Sequence, residues 1–377
     1  MRIAIDYTPA VLQSAGIGRH TRGLVQALAP IAGEHDVSLF VFGRPPAGPI
    51  PVPAGFRLRV VPIPNRWLTI GWHRLGAPIP VDWLGGPMDL YHASDFVLPP
   101  VRNARSLLTV HDLSFITTPQ CAAASLRDFL NRVVPKAVAR ADHVLADSES
   151  TRSDLIRLLG APPDKVTVVY PGVEPRFCRQ DDPAELRRVR ARYEIGDGPF
   201  ILGLGTLEPR KNWPALIRAW AQLRRENKLT HRLVIGGGTG WLTEGLFEAI
   251  EASGFRSEIV LTGFVADADL PTLYSAADVF VLPSLYEGFG IPVVEAMACG
   301  TPVVCANNSS LPEAAGDGAL LVEASDEAAL AAAIRRLVED ATLRSQLQQR
   351  GLKQAQRFTW DAAARTLLRT YEQVHHA

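Results

Sequence analysis

The stretch YEGFGIPVVEAMACGTPVV, residues 286–304, combines glycines, a proline and two glutamates in an order that suits ligand binding. Pro292 suits the first turn of a helix, and Gly300 suits its C-terminal cap. Gly288 and Gly290 come just before this helix, so their backbone N–H groups can approach an anion at its positive end. The stretch therefore predicts a loop and helix start that receive negative charge, such as a phosphate.

The two glutamates of this stretch, Glu287 and Glu295, need different explanations. Glu295 lies near the end of the first helical turn, where a carboxylate is typically stabilised by ~0.3–1 kcal/mol. Glu287 lies beside the loop that would receive the anion, and a carboxylate there repels it. We therefore expect the ligand to offer Glu287 hydrogen-bond donors or developing positive charge.

A second candidate site follows the predicted strand in FILGLGTLEPRKNW. Arg210 and Lys211 stand between that strand and a helix, behind the small residues Gly203 and Gly205. Adjacent cations suit a diphosphate, because arginine offers a fork of donors and lysine a point charge. An exposed basic turn is the alternative, and the glycines favour the anion site.

Three weaker signals lie elsewhere in the chain. Gly16 and Gly18 form a GxG at a strand-to-helix turn, which suits either a phosphate or a plain tight turn. His111 ends the strand of LLTVHDLSF on the side where an active-site crevice would lie, so a structural and a functional role stay open. Asp267 and Asp269 form a DxD, but they precede a helical pattern, so helix capping explains them without a metal.

Short apolar runs alternate with helical patterns along the chain, and these elements must position the candidate residues. Seven strands are predicted in the first half (RIAIDY, VSLFVFG, RLRVVPI, LYHAS, SLLTVHDLS, HVLADS, VTVVYPG) and six in the second (FILGLG, RLVIGGG, IVLTG, VFVLPS, PVVCA, ALLVE). Apolar, β-branched strands alternating with helices indicate parallel sheets covered on both faces. Two such series predict an α/β protein with two doubly wound, Rossmann-like domains.

The domain boundary is predicted in YPGVEPRFCRQDDPAELRR, where prolines and a glycine interrupt the pattern. We assign residues 1–173 to the N-terminal domain and residues 174–358 to the C-terminal domain. The final segment, 359–377, has the pattern of a helix with Thr359 as N-cap. We expect this helix to cross back and pack on the N-terminal domain.

Composition limits the partners and the compartment. The 377 residues carry a formal net charge of zero, so nothing favours a nucleic acid as partner. The four cysteines have no paired spacing and predict free thiols in a reducing compartment. No apolar run approaches the ~20 residues of a membrane span, and the start lacks the apolar region of a signal peptide. We expect a cytoplasmic protein, at most peripheral on the inner face of the cytoplasmic membrane.

The segment NRWLTIGWHRLGAPIPVDWLGG, residues 65–86, concentrates three tryptophans with arginine and histidine. It suits an acceptor site or a membrane-facing surface, because tryptophan has an apolar body and a polar edge. It suits equally a core beneath a long loop. The sequence leaves these three possibilities open.

Taken together, these motifs resemble the retaining glycosyltransferases of family 4. EGFGIPVVEAMACGTPVV has the E-x7-E arrangement of the family signature, and other motifs follow the family order over the whole chain: AGIGRHTRGL, HDLSF, ADSEST, GTLEPRKN, GFVADADLPTLYSAADVFVLPSLYEGFG and LPEAAGDGALLVEASD. The resemblance implies a GT-B fold, in which two Rossmann-like domains face each other across a cleft. It further implies that the N-terminal domain binds the acceptor and the C-terminal domain a nucleotide-diphosphate-sugar donor.

The resemblance also implies roles for individual residues. His111 would lie near the reacting sugar, Glu287 would contact the sugar hydroxyls, and Glu295 the ribose hydroxyls. Arg210 and Lys211 would stabilise the diphosphate, and Lys211 is the first choice for the cation that points into the site. The remaining residues implied in donor binding are Gly16, Gly18, Gly205, Thr206, Gly263, Phe264, Gly288, Phe289, Gly290 and Ile291. Some relatives carry an arginine where this chain has Thr206, which shifts the phosphate charge onto Arg210 and Lys211.

The resemblance and the chemistry of these residues agree on one reaction. Fixed cations and N–H donors can stabilise a departing diphosphate without metal, and a carboxylate or neutral histidine tolerates an oxocarbenium-like sugar. We therefore expect a retaining hexosyltransferase with no cofactor or essential metal. GDP-mannose is the leading donor, and a saccharide or lipid-linked saccharide of surface-polysaccharide or glycolipid synthesis is the acceptor. The alternatives are a nucleotide-sugar epimerase of similar fold and a non-catalytic nucleotide-sugar-binding protein.

Overall fold

The computed structural model describes residues 1–13, 16–45, 48, 50–74 and 76–377, apart from the side chains of residues 65, 73 and 74. Within this part the chain divides into two compact units. The first comprises Met1–Leu113, Asp128–Gly172 and Thr359–Ala377, and the second comprises Ser114–Arg127 and Val173–Phe358.

This division differs from the predicted boundary in two places. Residues 114–127 belong to the second unit, where the indole Nε1 of Trp241 donates a hydrogen bond to the Cys121 carbonyl oxygen at 2.8 Å. Val173 also belongs there, and its N–H donates to the Phe358 carbonyl oxygen at 3.0 Å. Both contacts join residues far apart in the chain, so the local pattern of prolines and glycines does not indicate them.

The first unit is built on a seven-stranded parallel sheet in the order β3-β2-β1-β4-β5-β6-β7. Its strands are β1 (Arg2–Asp6), β2 (Asp36–Phe42), β3 (Arg57–Val61), β4 (Leu90–Ala93), β5 (Arg105–Val110), β6 (His143–Ala146) and β7 (Val166–Val168). The second unit has a six-stranded parallel sheet in the order β10-β9-β8-β11-β12-β13. Its strands are β8 (Phe200–Leu204), β9 (Arg232–Gly236), β10 (Ile259–Gly263), β11 (Val279–Leu282), β12 (Val303–Ala306) and β13 (Ala319–Val322).

Each of the thirteen predicted strands corresponds to a strand of the structure, so the α/β architecture with two parallel sheets is confirmed. The reason is that strands buried on both faces are short and continuously apolar, which makes them conspicuous in a sequence. The order of connection reverses between β1 and β4 in one sheet and between β8 and β11 in the other. Ligands of open α/β sheets bind at such switch points, beyond the carboxyl ends of the strands.

Helices connect the strands of both sheets. Those that begin before residue 160 are α1 (Thr8–Leu12), α2 (Gly16–Leu28), α3 (Asn65–Thr69), α4 (Val81–Gly85), α5 (Ser114–Thr117), α6 (Ala124–Arg140) and α7 (Glu149–Leu159). Those that follow are α8 (Pro183–Arg192), α9 (Trp213–Arg225), α10 (Glu244–Ser253), α11 (Leu270–Ala276), α12 (Ile291–Ala298), α13 (Leu311–Ala315), α14 (Glu327–Glu339), α15 (Ala341–Ala355) and α16 (Trp360–His376).

The C-terminal helix α16 belongs to the first unit, which confirms that the chain returns to its N-terminal sheet. Thr359 caps it, because its Oγ1 accepts a hydrogen bond from the Ala362 N–H at 3.1 Å. Leu367 and Tyr371 are fully buried on its inner face. Gly23 of α2 permits the approach, since a Cβ there would lie 2.5 Å from the Trp360 ring.

Candidate functional site

The switch point of the second sheet brings together the two motifs that the sequence singled out. Arg210 and Lys211 lie in the turn between β8 and α9, and Glu287 lies in the loop between β11 and α12. Strands β8 and β11 are parallel neighbours, so both loops leave the same edge of the sheet. The Lys211 Nζ lies 2.6 Å from Oε1 of Glu287, and an Arg210 Nη1 lies 2.8 Å from Oε2.

Glu287 is held as a buried, ionised carboxylate. Only 6% of it is exposed, and Oε1 also accepts a hydrogen bond from the Ser284 hydroxyl at 2.6 Å. Burial alone would raise its pKa, but the charges of Lys211 and Arg210 and the hydrogen bonds outweigh burial and lower the pKa to about 2. The carboxylate that looked misplaced beside an anion-receiving loop is therefore neutralised by the two cations.

Glu208 completes this network, although it was not predicted from the sequence. Its Oε1 accepts a hydrogen bond from Nη2 of Arg210 at 2.6 Å, and the residue is 6% exposed. Arg210 also donates to the Tyr286 carbonyl oxygen at 2.8 Å, so its guanidinium is anchored by two carboxylates and the backbone. The acidic residue two positions before the arginine in GTLEPRKN was the available signal. With Glu208, the network holds two cations and two carboxylates and has no net charge.

Glu295 is a buried residue of α12. It is 1% exposed, and its Oε2 accepts a hydrogen bond from the Tyr274 hydroxyl at 3.0 Å. Tyr274, on α11, is itself fully buried and was not singled out by the sequence. The structure thus gives Glu295 a protein partner, and its contact with a ribose stays a prediction.

The predicted helix signals around α12 are confirmed. Pro292 lies in its first turn, and Gly300 follows its C-terminal end with φ +72°. Gly290 precedes the helix with φ +99°, and a Cβ there would lie 2.6 Å from Leu311. Gly205 is equally constrained, because a Cβ would lie 3.0 Å from the Cε of Lys211. Glycine at position 205 therefore leaves room for the lysine stem that reaches Glu287.

The other predicted donor-binding residues of the second unit have varied surroundings, and their donor contacts stay predictions. The side chain of Phe289 is buried and packs against Phe358, with ring centroids 5.0 Å apart. Phe264 is 52% exposed at the end of β10. The Thr206 carbonyl oxygen accepts a hydrogen bond from the Trp213 indole at 3.2 Å. The remaining three comprise exposed Gly263, half-buried Gly288, and Ile291 at the start of α12.

The first unit has its own cluster at the ends of β5 and β6. His111 follows β5 and Asp147 follows β6, and the His111 Nδ1 lies 2.8 Å from the Asp147 Oδ2. His20, on α2, places its Nε2 3.5 Å from Oδ1 of the same carboxylate. All three residues are buried. The sequence predicted a site role for His111 but not its contacts with Asp147 and His20, because these two belong to distant segments.

Gly16 and Gly18 lie in the first turns of α2. A Cβ at Gly18 would lie 1.9 Å from the Gln13 carbonyl oxygen, so this glycine is required by close backbone packing. Gly16 begins the helix with φ +26°, and among the described residues no atom lies within 4 Å of the position that a Cβ would take. The tight-turn interpretation thus explains Gly18, and a phosphate contact at Gly16 stays a prediction.

Comparison with known proteins assigns the family. The model described as Glycosyltransferase Family 4 matches residues 14–177, and the one described as Glycosyl transferases group 1 matches residues 187–354. The chain is 33% identical over 382 residues to O-antigen chain mannosyltransferase B of Escherichia coli, covering 99% of this chain and 100% of the relative. The chain belongs to glycosyltransferase family 4.

Solved structures place this family 4 glycosyltransferase in the GT-B fold. Sucrose-phosphate synthase from Thermosynechococcus elongatus has a TM-score of 0.78 at 22% identity, covering 99% of this chain and 98% of that chain. Anabaena HepE, solved in complex with UDP-glucose, has a TM-score of 0.71 at 20% identity, covering 99% of both chains. At these identities the likeness establishes the fold alone.

The second aspartate of the DxD in this family 4 glycosyltransferase, Asp269, is engaged by other protein side chains. Asp269 is 1% exposed, and its carboxylate pairs with Arg188 at 2.7 Å and Arg192 at 2.9 Å. It also accepts a hydrogen bond from the Tyr193 hydroxyl at 2.8 Å. Asp269 stands at the N-terminus of α11 as predicted, but its side chain makes no capping hydrogen bond there. The capping explanation was therefore wrong in detail, because the arginines of α8 engage the carboxylate.

Among the residues that the structure describes, His20, His111 and Asp147 place ligand-type atoms within 4.8 Å of one another, close enough to surround a metal ion. Two of these residues are already joined by a hydrogen bond, between the His111 Nδ1 and the Asp147 Oδ2. This donor set therefore fits a hydrogen-bonded cluster better than an open metal site.

Two of the three tryptophans in the Trp-rich segment of this family 4 glycosyltransferase are exposed. Trp67 is 56% exposed and Trp83 is 60% exposed, whereas Trp72 packs its ring against Phe42 and donates to the Ile79 carbonyl oxygen. The core interpretation is therefore wrong for Trp67 and Trp83, whereas Trp72 is half-buried against Phe42. Across the described ranges, no helix has the length and apolar character needed to span a bilayer.

Proposed function

We propose that this chain is a retaining transferase that moves mannose from GDP-mannose to a saccharide or lipid-linked saccharide in surface-polysaccharide or glycolipid synthesis. The observation that carries the proposal is the convergence of Lys211 and Arg210 on buried Glu287 at the switch point of the second sheet. The full-length similarity to an enzyme named O-antigen chain mannosyltransferase B supports the choice of mannose and of a polysaccharide product.

In this proposal the second unit binds the donor. Departure of the nucleoside diphosphate leaves negative charge on its phosphates, and Lys211 and Arg210 stabilise that charge. Glu287 contacts the sugar hydroxyls, and its ionised state suits a sugar that gains oxocarbenium character. Glu295 binds the ribose after exchanging its hydrogen bond with Tyr274 for the ribose hydroxyls.

We further propose that the reaction proceeds with retention and needs no metal or other cofactor. The acceptor hydroxyl attacks from the face that the diphosphate leaves, and a phosphate oxygen takes the hydroxyl proton. The protein then has only to hold both substrates and stabilise charge, which two cations and backbone N–H groups can do. His111, in the first unit, is assigned to the vicinity of the reacting sugar.

The test is a panel of nucleotide sugars that includes GDP-mannose and UDP-glucose, the latter because HepE was solved with it. Each is scored for thermal stabilisation and then for nucleotide release with and without a mannan oligosaccharide. We expect acceptor-dependent release of GDP, an unchanged rate in EDTA, and an α-anomeric product by NMR. If the sugar of the donor is altered when no acceptor is present, the protein is a nucleotide-sugar epimerase. If the donor binds but no nucleotide is released, the protein is a non-catalytic nucleotide-sugar-binding protein.

We also propose that the exposed tryptophans contact an anionic membrane, where a lipid-linked acceptor would reside. The Arg66 guanidinium lies 5.4 Å from the ring centroid of Trp67, and that of Arg102 lies 5.6 Å from the Trp83 ring. Tryptophan with an adjacent cation suits the headgroup region, since the ring enters the interface and the cation meets phosphate.

A further inference from the structure

The arrangement of His111, Asp147 and Ser94 restricts the protonation state of the histidine. Strands β5 and β6 are paired in register at Val110 and Ala146, so the next residue of each, His111 and Asp147, lie side by side. The His111 Nδ1 faces the Asp147 Oδ2 at 2.8 Å, and its Nε2 faces the Ser94 carbonyl oxygen at 3.0 Å. The His111 side chain is buried, so these contacts form away from bulk water.

Both partners of His111 accept hydrogen bonds and cannot donate them. A carbonyl oxygen has no proton, so Nε2 must carry one to bond with Ser94. An ionised carboxylate likewise requires a proton on Nδ1. Neutral imidazole has a single N–H, so the two contacts together require the doubly protonated imidazolium.

The surrounding charges agree with this geometry. Burial alone would lower the pKa of His111, but the Asp147 carboxylate, its hydrogen bond, Asp95 and the Ser94 carbonyl raise it to about 9. Burial raises the pKa of Asp147, yet His111 and His20 lower it overall, so the carboxylate stays ionised. The nearby His20 and His92 have pKa values lowered by burial, to about 4 and about 3, and are neutral at pH 7. The cluster therefore concentrates its positive charge on His111.

We propose that Asp147 is a positioning residue for the transfer reaction and that it fixes His111 as an imidazolium, which excludes His111 as the general base. The inference rests on the proposed function, which assigns His111 to the vicinity of the reacting sugar. This replaces the neutral histidine that the sequence led us to expect. As a fixed cation held by Asp147, His111 stabilises negative charge that develops during the transfer.

The proton balance of the step follows from this assignment. The acceptor oxygen forms a bond to the anomeric carbon, the bond from that carbon to the phosphate oxygen breaks, and its electron pair stays on the diphosphate. The acceptor proton passes to the diphosphate, because His111 has no free lone pair to receive it. Neither oxidation nor reduction is involved.

NMR of ¹⁵N-histidine-labelled protein, assigned with His111→Gln, tests the protonation state without any substrate. We expect both ring nitrogens of His111 to be protonated at pH 7.5 in the wild type and to titrate near 9. In Asp147→Asn the amide cannot stabilise the charge, so we expect titration below the ordinary ~6.5. A neutral His111 in the wild type, an unchanged titration in Asp147→Asn, or a shift of its signals by stoichiometric Zn²⁺ would overturn the proposal.

Kinetics test the role in transfer. We expect Asp147→Asn to lower kcat about 10²-fold at pH 7.5, to recover partly toward pH 6, and to leave the donor KM nearly unchanged. Asp147→Glu keeps a carboxylate and should restore much of the rate, and Asp154→Asn is the matched control on α7. A loss that is equal at every pH would show a purely structural role and overturn the inference. A wild type without transferase activity would refute the proposed function alone, since NMR still reports the state of His111.

Discussion

The ammonium nitrogen of Lys211 lies 2.6 Å from Oε1 of Glu287, although the residues are 76 positions apart in the chain. Both are buried, and Glu287 is shared with Arg210 at its other oxygen. A bound diphosphate would therefore compete with Glu287 for the two cations. Donor binding and the ion pairs of Glu287 are therefore coupled through Lys211 and Arg210.

Lys211→Ala should abolish transfer and leave the fold intact. The lysine offers a point charge to the phosphates, and loss of such a group typically costs roughly 10²–10³-fold in kcat. Glu287 keeps Arg210 and Ser284 as partners in the variant, so its folded state should persist. Steady-state kinetics and thermal unfolding measure both effects, with the exposed Lys228→Ala as control. Normal turnover would refute the diphosphate assignment.

Glu287→Ala should impair transfer more than nucleotide binding, and Glu295→Ala should do the reverse. Glu287 is assigned to the sugar and Glu295 to the ribose, so kcat should fall in the first variant and the donor KM should rise in the second. Removal of Glu287 leaves the buried Lys211 without its carboxylate partner, which should cost about 3 kcal/mol of stability. Glu287→Gln is the milder companion variant. GDP titration calorimetry separates the effects, and equal changes in both variants would contradict the division of roles.

Glu208→Gln should lower the transferase activity, because Arg210 loses the carboxylate that holds its guanidinium in place. The carboxylate of Glu208 accepts a hydrogen bond from Nη2 of Arg210 and holds that edge of the guanidinium. Without this carboxylate the guanidinium can move. We expect a reduction in kcat of about 10-fold, below the ~10²-fold that a 1 Å misplacement can cost. Glu226→Gln, which changes an exposed carboxylate paired with Lys228, is the control. An activity equal to that of the control would leave Glu208 without a role in positioning.

Replacing Trp67 and Trp83 by serine should weaken membrane binding without changing transfer to a soluble acceptor. Both rings are exposed and lie beside arginines, so their removal deletes the interfacial contact without disturbing the core. Co-sedimentation with vesicles containing phosphatidylglycerol measures the loss. Phe247→Ser removes an exposed aromatic from the second unit and should have no effect. Wild-type protein that fails to sediment with such vesicles would exclude this contact.

Acidification should destabilise the first unit through His92. Its ring nitrogens contact the hydroxyls of Tyr371 at 2.7 Å and Thr109 at 2.8 Å, which ties α16 to the sheet. Burial lowers its pKa to about 3, so the unfolded chain takes up the proton first. The contribution of neutral His92 to the free energy of unfolding is complete above about pH 6.5. It falls by about 1.4 kcal/mol per pH unit as the pH drops toward 3. Urea unfolding of His92→Gln should show a shallower acid dependence than the wild type, whereas His375→Gln should not.

The sequence by itself determined the architecture. Thirteen strands could be located because apolar, β-branched runs buried on both faces of a sheet differ sharply from the amphipathic helices between them. The signals around α12 were equally readable, since Pro292 and Gly300 act on the backbone of their own helix. The N-cap Thr359 was also predictable from the sequence, because its side chain accepts a hydrogen bond from an N–H only three residues away. The E-x7-E motif and the basic pair were also visible as single segments.

Only the tertiary structure decided which of these residues meet. Glu287 and Lys211 come from different loops, and the pairing of β8 with β11 brings them together. The contacts of His111 with Asp147 and His20 were not predicted for the same reason, because these residues lie on a strand end and a helix distant in the chain. Sequence patterns report interactions within a few residues, such as capping and periodic burial. The charge of a buried group depends on partners that the fold supplies, and only the structure reveals them.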